Sequence, residues 1–296
     1  MTFLDGPALG AALGLGSAVM WAVTSLLVRT LNPHFNSVAV NAIRTIVGGA
    51  LLLAWVLVVD GGAALTTISA GNLTLLVVSI VVAIGIGDTV FFESTRRLGL
   101  GRGMTIAMSY PLVATALAAS FLGETITPRL AVGSLLTLSG VALIALSRAG
   151  DGAATDGWWM GMGGAVVAAV SWGVSSAVLK VPLSDVDAVT AQAVRLPLAG
   201  MLLFATPWAW GSVRTLREGT PGVVARMAVL SALTALSSVM FVGSLKHAGV
   251  AVATVLSSTA PMFAIPLGVI FLGERLSMRP VVGALVTVAG IVVLKW

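Results

Sequence analysis

The chain contains no cysteine. Disulfide bonds, thiolate metal sites and a cysteine nucleophile are therefore excluded. Histidine is nearly as rare, because only His34 and His247 are present and both lie near the ends of apolar segments. No His-Glu-x-x-His or Gly-x-Ser-x-Gly motif occurs, and no apolar segment holds paired aspartates. These absences disfavour an enzyme, and we expect neither a metal ion nor another cofactor.

Charged residues are also scarce. Asp, Glu, Lys and Arg form 9% of the 296 residues, against about 25% in an average soluble domain. The mean hydropathy is +1.06. The formal net charge of +5 comes from residues scattered between apolar segments, without a basic cluster that would indicate nucleic-acid binding. This composition excludes a water-soluble surface and predicts a protein of the lipid bilayer.

Long apolar segments recur along the whole chain. A helix needs about 20 apolar residues to cross the hydrocarbon core of a bilayer. The first segment has no basic region before it and is longer than a cleavable signal core, so we interpret it as a helix of the fold. The sequence predicts an all-α membrane protein with ten transmembrane helices, called spans 1 to 10, at residues 7–29, 37–59, 72–96, 102–122, 129–147, 158–180, 188–210, 223–246, 250–272 and 279–295.

The second half of the chain repeats the first. Trp172 follows Trp21 by 151 positions, and Arg195 follows Arg44 by the same offset. Later pairs have an offset of 150: Gly249 with Gly99, Pro261 with Pro111, and Glu274 with Glu124. We place the two repeats at residues 1–149 and 150–296. Because five spans is an odd number, equivalent positions enter the membrane from opposite sides, which predicts two inverted five-helix repeats, as in many secondary transporters.

The repeated residues resemble those of the drug/metabolite transporter superfamily. The resemblance rests on the early tryptophans Trp21 and Trp172, on Pro111 and Pro261, and on the Phe-Leu-Gly-Glu sequences at 121–124 and 271–274. The chain is similar to the ten-span EamA-like exporters, which include YddG-type amino-acid exporters. The resemblance implies export of amino acids or similar metabolites. Small multidrug members of the superfamily use a glutamate in their first helix, but spans 1 and 6 contain no carboxylate.

Two equivalent arginines lie deep in spans 2 and 7. An ionisable side chain at the bilayer centre costs about 2.5–3.5 kcal/mol on insertion scales, so Arg44 and Arg195 need a partner, a wet cavity or a function. Asn41 and Gln192 each precede one arginine by three residues and share its helix face. The sequence leaves two interpretations open, in which these residues either bind substrate or tie helices together.

Asp88 of span 3 is expected at a depth similar to that of Arg44. An ion pair between them would neutralise both side chains, and Asp88 is also the candidate proton site. Ser238 stands where Asp88 stands in the first repeat, so Arg195 has no equivalent partner. We therefore expect Arg195 to contact an anionic group such as a substrate carboxylate.

Three aromatic residues are candidates for the apolar wall of a substrate site. They are Trp21, Trp172 and Tyr110, the only tyrosine of the chain, and core packing is the alternative interpretation. Pro111 and Pro261 each remove a helix hydrogen bond inside a span. We interpret both prolines as hinges.

These features predict an alternating-access transporter of small metabolites. Export of amino acids is the function that they favour most. Proton-coupled efflux of drugs or other metabolites and a channel-like facilitator stay open as alternatives. We expect a monomer in the cell membrane, which is the inner membrane in a Gram-negative bacterium. Its orientation is ambiguous, because the distribution of Lys and Arg favours termini outside the cell and the family resemblance favours termini in the cytoplasm.

Overall fold

A helix occupies part of each predicted span. The structure, a computed structural model, describes residues 6–31, 33–98, 103, 106–147, 157–260, 262–263, 267, 270–271 and 278–295, and these residues form helices and turns without a strand. This confirms the all-α fold. The helices of spans 1 to 10 are Gly6–Leu31, Ser37–Asp60, Ala70–Ile80 continued through Val81–Asp88 and Thr89–Leu98, Tyr110–Phe121, Pro128–Ser147, Trp158–Lys180, Ala188–Phe204, Pro221–Ala248, Val250–Ser257 and Met278–Lys295.

Several of these helices have the length and composition of membrane spans. Among the described residues, five helices, those of spans 1, 2, 3, 6 and 8, are long and apolar enough to cross a bilayer. Span 7 was predicted to reach residue 210, but its helix ends at Phe204 and the chain then bends by 91° into Pro207–Arg217. The proline explains this end, because Pro207 lacks an N–H and disfavours helical geometry at the residue before it.

Equivalent residues begin the helices of spans 2 and 7. The side chain of Asn36 accepts a hydrogen bond from the N–H of Ala39, and Asp187, 151 positions later, accepts from the N–H groups of Val189 and Thr190. Partial burial opposes the charge of Asp187, but the hydrogen bonds from Thr190 and Val189 keep the pKa of its carboxyl below the usual value. Both repeats therefore fix this helix start with an N-cap.

Contacts between the halves follow the repeat. Span 1 packs against span 8, and span 3 packs against span 6. Span 2 packs against span 7, and span 5 packs against span 10. Gly49 of span 2 lies against Pro197 of span 7, and Gly200 of span 7 lies against Ile46 of span 2. A later residue of one helix thus meets an earlier residue of the other, so the paired helices are antiparallel and the two repeats are inverted.

The pairing of spans 5 and 10 has the same symmetry. Gly140 lies against Thr287, and Gly290 lies against Thr137. The absence of a Cβ at each glycine allows the two backbones to approach closely, which is a common way of joining helices in a membrane.

Span 3 has one residue more than its counterpart, span 8. At the start of the two helices, the N-cap residues Ser69 and Thr220 are 151 positions apart. At the other end, Leu98 of span 3 lies against Gly161 and Ala248 of span 8 lies against the equivalent Gly10. Leu98 and Ala248 are only 150 positions apart. Span 8 is α-helical throughout, but Val81–Asp88 in span 3 is a π-helix. Since a π-helical turn holds more residues than an α-helical turn, this segment accommodates the extra residue.

Candidate functional site

A cavity of about 180 Å³ lies between the two repeats. Its walls come from spans 1, 2, 3, 6, 7 and 8, and from the residues around the breaks in spans 4 and 9. Seven of the eight predicted binding residues line it, namely Trp21, Arg44, Asp88, Tyr110, Trp172, Gln192 and Arg195. The structure therefore brings residues from six distant parts of the sequence to one site.

Asp88 is surrounded by hydrogen-bond donors. One of its carboxylate oxygens accepts from Nε1 of Trp172 at 2.9 Å, and the other lies 3.4 Å from both Nη2 of Arg44 and Nδ2 of Asn41. Nε of Arg44 also donates to Oδ1 of Asn41 at 2.8 Å. Asn41 thus supports the ion pair without lining the cavity. The side chains of Arg44 and Asp88 are only 5% and 7% exposed, so their pairing offsets the cost of burying two charges.

Arg195 has neutral partners instead. Its Nη1 donates to Oε1 of Gln192 at 2.7 Å, and its Nε donates to Oγ of Ser79 at 3.1 Å. No ion pair joins Arg195 to a carboxylate within the described part of the chain. Ser238 lines the cavity at the position equivalent to Asp88, and its hydroxyl donates to the carbonyl of Ala235. The ionised side chains described around the cavity therefore sum to one positive charge.

The aromatic side chains both pack and line the cavity. The ring of Trp172 lies 5.0 Å from that of Phe91 and 6.0 Å, edge to face, from that of Tyr110. The hydroxyl of Tyr110 donates to the carbonyl of Thr254 at 3.1 Å, which connects spans 4 and 9. The guanidinium of Arg44 lies 5.6 Å from the centre of the Trp21 ring, within the range of a cation–π contact.

Three buried polar atoms at the cavity have no hydrogen-bond partner among the described residues. They are Nε1 of Trp21, Oγ1 of Thr234 and Oγ of Ser257. All three belong to spans 1, 8 and 9, whereas the indole of Trp172 and the hydroxyl of Tyr110 are satisfied. Buried polar groups are normally hydrogen-bonded, so these three lining residues are the candidates for hydrogen bonds to a ligand.

Both halves of the chain match one known family of membrane proteins. The model of the EamA-like transporter family matches residues 8–146 and 159–296, which is nearly the whole sequence and covers both halves. The chain belongs to the EamA-like transporter family. It is therefore a multi-pass membrane protein of a family that transports small molecules.

Two individual proteins and one solved structure are similar to this EamA-like transporter. An uncharacterized transporter of Archaeoglobus fulgidus is 24% identical over 95% of this chain and 96% of its own length. An uncharacterized protein of Pseudomonas aeruginosa is 32% identical, but over only 49% of this chain and 48% of that protein. A solved crystal structure with 19% identity superimposes with a TM-score of 0.77 over 96% of this chain and 95% of the other, so the two share a fold.

The predicted hinge Pro111 lies at a break in span 4 of this transporter. Ser109 forms a turn by donating its N–H to the carbonyl of Ile106, and the helix Tyr110–Phe121 begins immediately afterwards. Pro111 therefore sits in the first turn, where its missing N–H removes no helix hydrogen bond, rather than in the middle of a helix. Pro261 lies outside the described residues.

Two contacts join the ends of neighbouring spans. The carboxylate of Glu124, at the end of span 4, accepts from the N–H groups of Val250 and Ala251 at 2.7 and 3.2 Å, at the start of span 9. Nζ of Lys180 donates to the carbonyls of Leu245 and Lys246. Glu124 thus connects the two repeats at one end of the molecule. Its place after a helix-ending glycine predicted a role in loop geometry only.

Sequence reasoning missed Ser175, which lines the cavity, and Ser79, which is hydrogen-bonded to two lining residues. Ser79 accepts from Arg195, and the hydroxyl of Ser175 donates to the carbonyl of Ser79. The position of Ser175, three residues after Trp172, could have indicated a shared helix face. Ser79 carries no such signal. Groups of three or more His, Asp or Glu side chains that could hold a metal ion are absent from the described residues.

Proposed function

We propose that this protein is an alternating-access secondary transporter that exports amino acids or similar small metabolites bearing a carboxylate. One observation carries the proposal: Arg195, only 4% exposed, faces a cavity between inverted repeats and has no acidic partner in the described chain. A guanidinium forms strong, charge-assisted hydrogen bonds with a carboxylate. The neighbouring aromatic rings would contact the apolar part of such a substrate.

Family membership and the inverted repeats support a carrier rather than a channel. In inverted-repeat transporters, the substrate binds near the midplane between the repeats, and the two halves rock around it. The cavity has walls from both repeats and a volume of about 180 Å³, which fits one small molecule. The breaks in span 4, before Pro111, and in span 9, after Ser257, are suitable positions for such movement.

Proton coupling is the second candidate, in which the protein would drive efflux of drugs or other metabolites. It is favoured by Asp88, the only carboxylate among the described residues that line the cavity. A proton-coupled carrier would show uptake that depends on a pH gradient, and this dependence would be lost in Asp88→Asn. A facilitator would show no gradient dependence in either protein.

Transport by purified protein in proteoliposomes tests the proposal. We expect saturable uptake of some members of a radiolabelled amino-acid panel, accelerated when unlabelled substrate is present inside, because a carrier exchanges substrates and a channel does not. Arg195→Ala should abolish uptake and leave the size-exclusion profile unchanged. Absence of uptake across the panel, or unchanged uptake by Arg195→Ala, would contradict amino-acid transport through this site.

A further inference from the structure

The two repeats supply different groups to the cavity at equivalent positions. In the first set, the carboxylate of Asp88 lies between the indole N–H of Trp172 and the guanidinium of Arg44, at 2.9 and 3.4 Å. The second set consists of Trp21, Ser238 and Arg195, which all line the same cavity. It contains the indole and the guanidinium, but a serine stands in the place of the carboxylate.

The unsatisfied polar atoms lie on the side of this second set. Nε1 of Trp21 is buried and has no partner among the described residues, although Nε1 of Trp172 donates to Asp88. Within the described chain, the guanidinium of Arg195 donates hydrogen bonds to the neutral side chains of Gln192 and Ser79 and to no carboxylate. Because Trp21, Ser238 and Arg195 are the repeat equivalents of Trp172, Asp88 and Arg44, a negatively charged acceptor beside Ser238 would take the place that the Asp88 carboxylate has in the first set.

We propose that the carboxylate of the substrate occupies this place and accepts hydrogen bonds from Trp21 and Arg195, as the carboxylate of Asp88 does from Trp172 and Arg44. We call Trp21 and Arg195 the acid subsite, because they would bind the carboxylic acid group of the substrate. This inference rests on the proposed transport function and specifies the chemical group that the site recognises. The hydroxyls of Thr234 and Ser257, also unpartnered at the cavity, are available to polar atoms elsewhere on the substrate.

The charges around the cavity define the substrate class further. Arg44 and Asp88 neutralise each other, and Arg195 leaves one positive charge among the described lining residues. Asp88 already accepts hydrogen bonds from three side chains, so it offers little to a substrate ammonium group. The site therefore selects molecules with a single carboxylate, and an amino group on the substrate is dispensable.

Substitution of Ser238 tests the subsite directly. Ser238→Asp supplies an internal carboxylate where the substrate's would bind, and Ser238→Asn supplies a side chain of similar size without the charge. We expect L-leucine uptake by Ser238→Asp to be about a hundredfold below that of Ser238→Asn, the order expected when an ion-paired hydrogen bond is lost. We also expect Ser238→Asp to unfold at a higher temperature than Ser238→Asn in the absence of L-leucine, because only the aspartate pairs with Arg195.

Analogues of L-leucine test the same inference on the unsubstituted protein. 4-Methylpentanoate lacks the amino group and should inhibit L-leucine uptake, whereas 3-methylbutylamine lacks the carboxylate and should not. Equal uptake by the two Ser238 variants, or inhibition by the amine alone, would overturn the acid subsite while leaving the transport function intact. A wild-type protein that takes up neither amino acids nor monocarboxylates such as 4-methylpentanoate would overturn the proposed function, and the subsite with it.

Discussion

Single residues set the chemistry of the cavity through their charge and their unpaired hydrogen-bonding groups. Ionisable and large aromatic side chains are conspicuous in an apolar sequence, because burial of such groups in a membrane requires a partner or a cavity. That is why Arg44, Asp88 and Arg195 could be selected from the sequence. Serine and threonine give no such signal, since they commonly donate to a carbonyl of their own helix, as Ser176 does to Trp172.

The two cavity tryptophans provide a test at this scale. Trp172→Phe removes a hydrogen bond to the carboxylate of Asp88, and bonds to charged groups contribute about 1.5–3 kcal/mol. We expect its free energy of unfolding to lie below that of Trp21→Phe by about that amount. Trp21→Phe removes an N–H that has no partner among the described residues, so we expect it to lose only the packing of the larger ring.

Reversible unfolding of both variants in detergent, monitored by circular dichroism, measures the difference between their free energies of unfolding. Each variant replaces an indole with a smaller ring, so the loss of packing is similar and the comparison isolates the hydrogen bond. Equal destabilisation of the two proteins would show that the bond from Trp172 to Asp88 contributes nothing to folding.

At the scale of helices, the length of the apolar segments predicted where spans occur but not how span 3 is built. The change of repeat offset from 151 to 150 between Arg44 and Gly99 showed that the first repeat contains one extra residue. It did not show whether a loop or a helix holds that residue. The π-helix Val81–Asp88 supplies the answer, and Asp88 is its last residue.

This difference predicts unequal effects of single-residue deletions in spans 3 and 8. Ile86 in the π-helix and Leu236 in span 8 are equivalent positions, 150 residues apart, and their side chains are 44% and 49% exposed. Deletion of Ile86 converts the π-helix to an α-helix and keeps both flanks in register. Deletion of Leu236 from a regular α-helix rotates everything on one side of it by about 100°.

We therefore expect the Ile86 deletion to yield folded, monodisperse protein and the Leu236 deletion to aggregate. Size-exclusion chromatography and the yield of purified protein measure the outcome. If both deletions aggregate to the same extent, the π-helix does not accommodate the extra residue in the way inferred.

At the scale of the whole molecule, inverted symmetry implies two related states with access from opposite sides. Repeat spacing and the odd number of spans per repeat were sufficient to predict this architecture. The contact that holds one end of the observed state together was not predictable, because it depends on the three-dimensional approach of two chain segments. It joins Glu124 to the backbone of Val250 and Ala251, and the equivalent Glu274 lies outside the described residues.

If the repeats rock around the cavity, this contact between spans 4 and 9 must break during every transport cycle. The chain contains no cysteine, so Glu124→Cys and Ala251→Cys introduce one reactive pair without background. Oε2 of Glu124 lies 3.2 Å from the amide nitrogen of Ala251, so the two positions are neighbours, and formation of the disulfide itself reports whether the cysteines reach bonding distance. We expect oxidation with copper phenanthroline to stop exchange of labelled substrate in proteoliposomes, and reduction to restore it.

The single-cysteine variants should respond to neither treatment, which controls for damage by the oxidant. Undiminished exchange by a double variant whose disulfide is verified by mass spectrometry would exclude movement at this end of the molecule and favour a channel-like path.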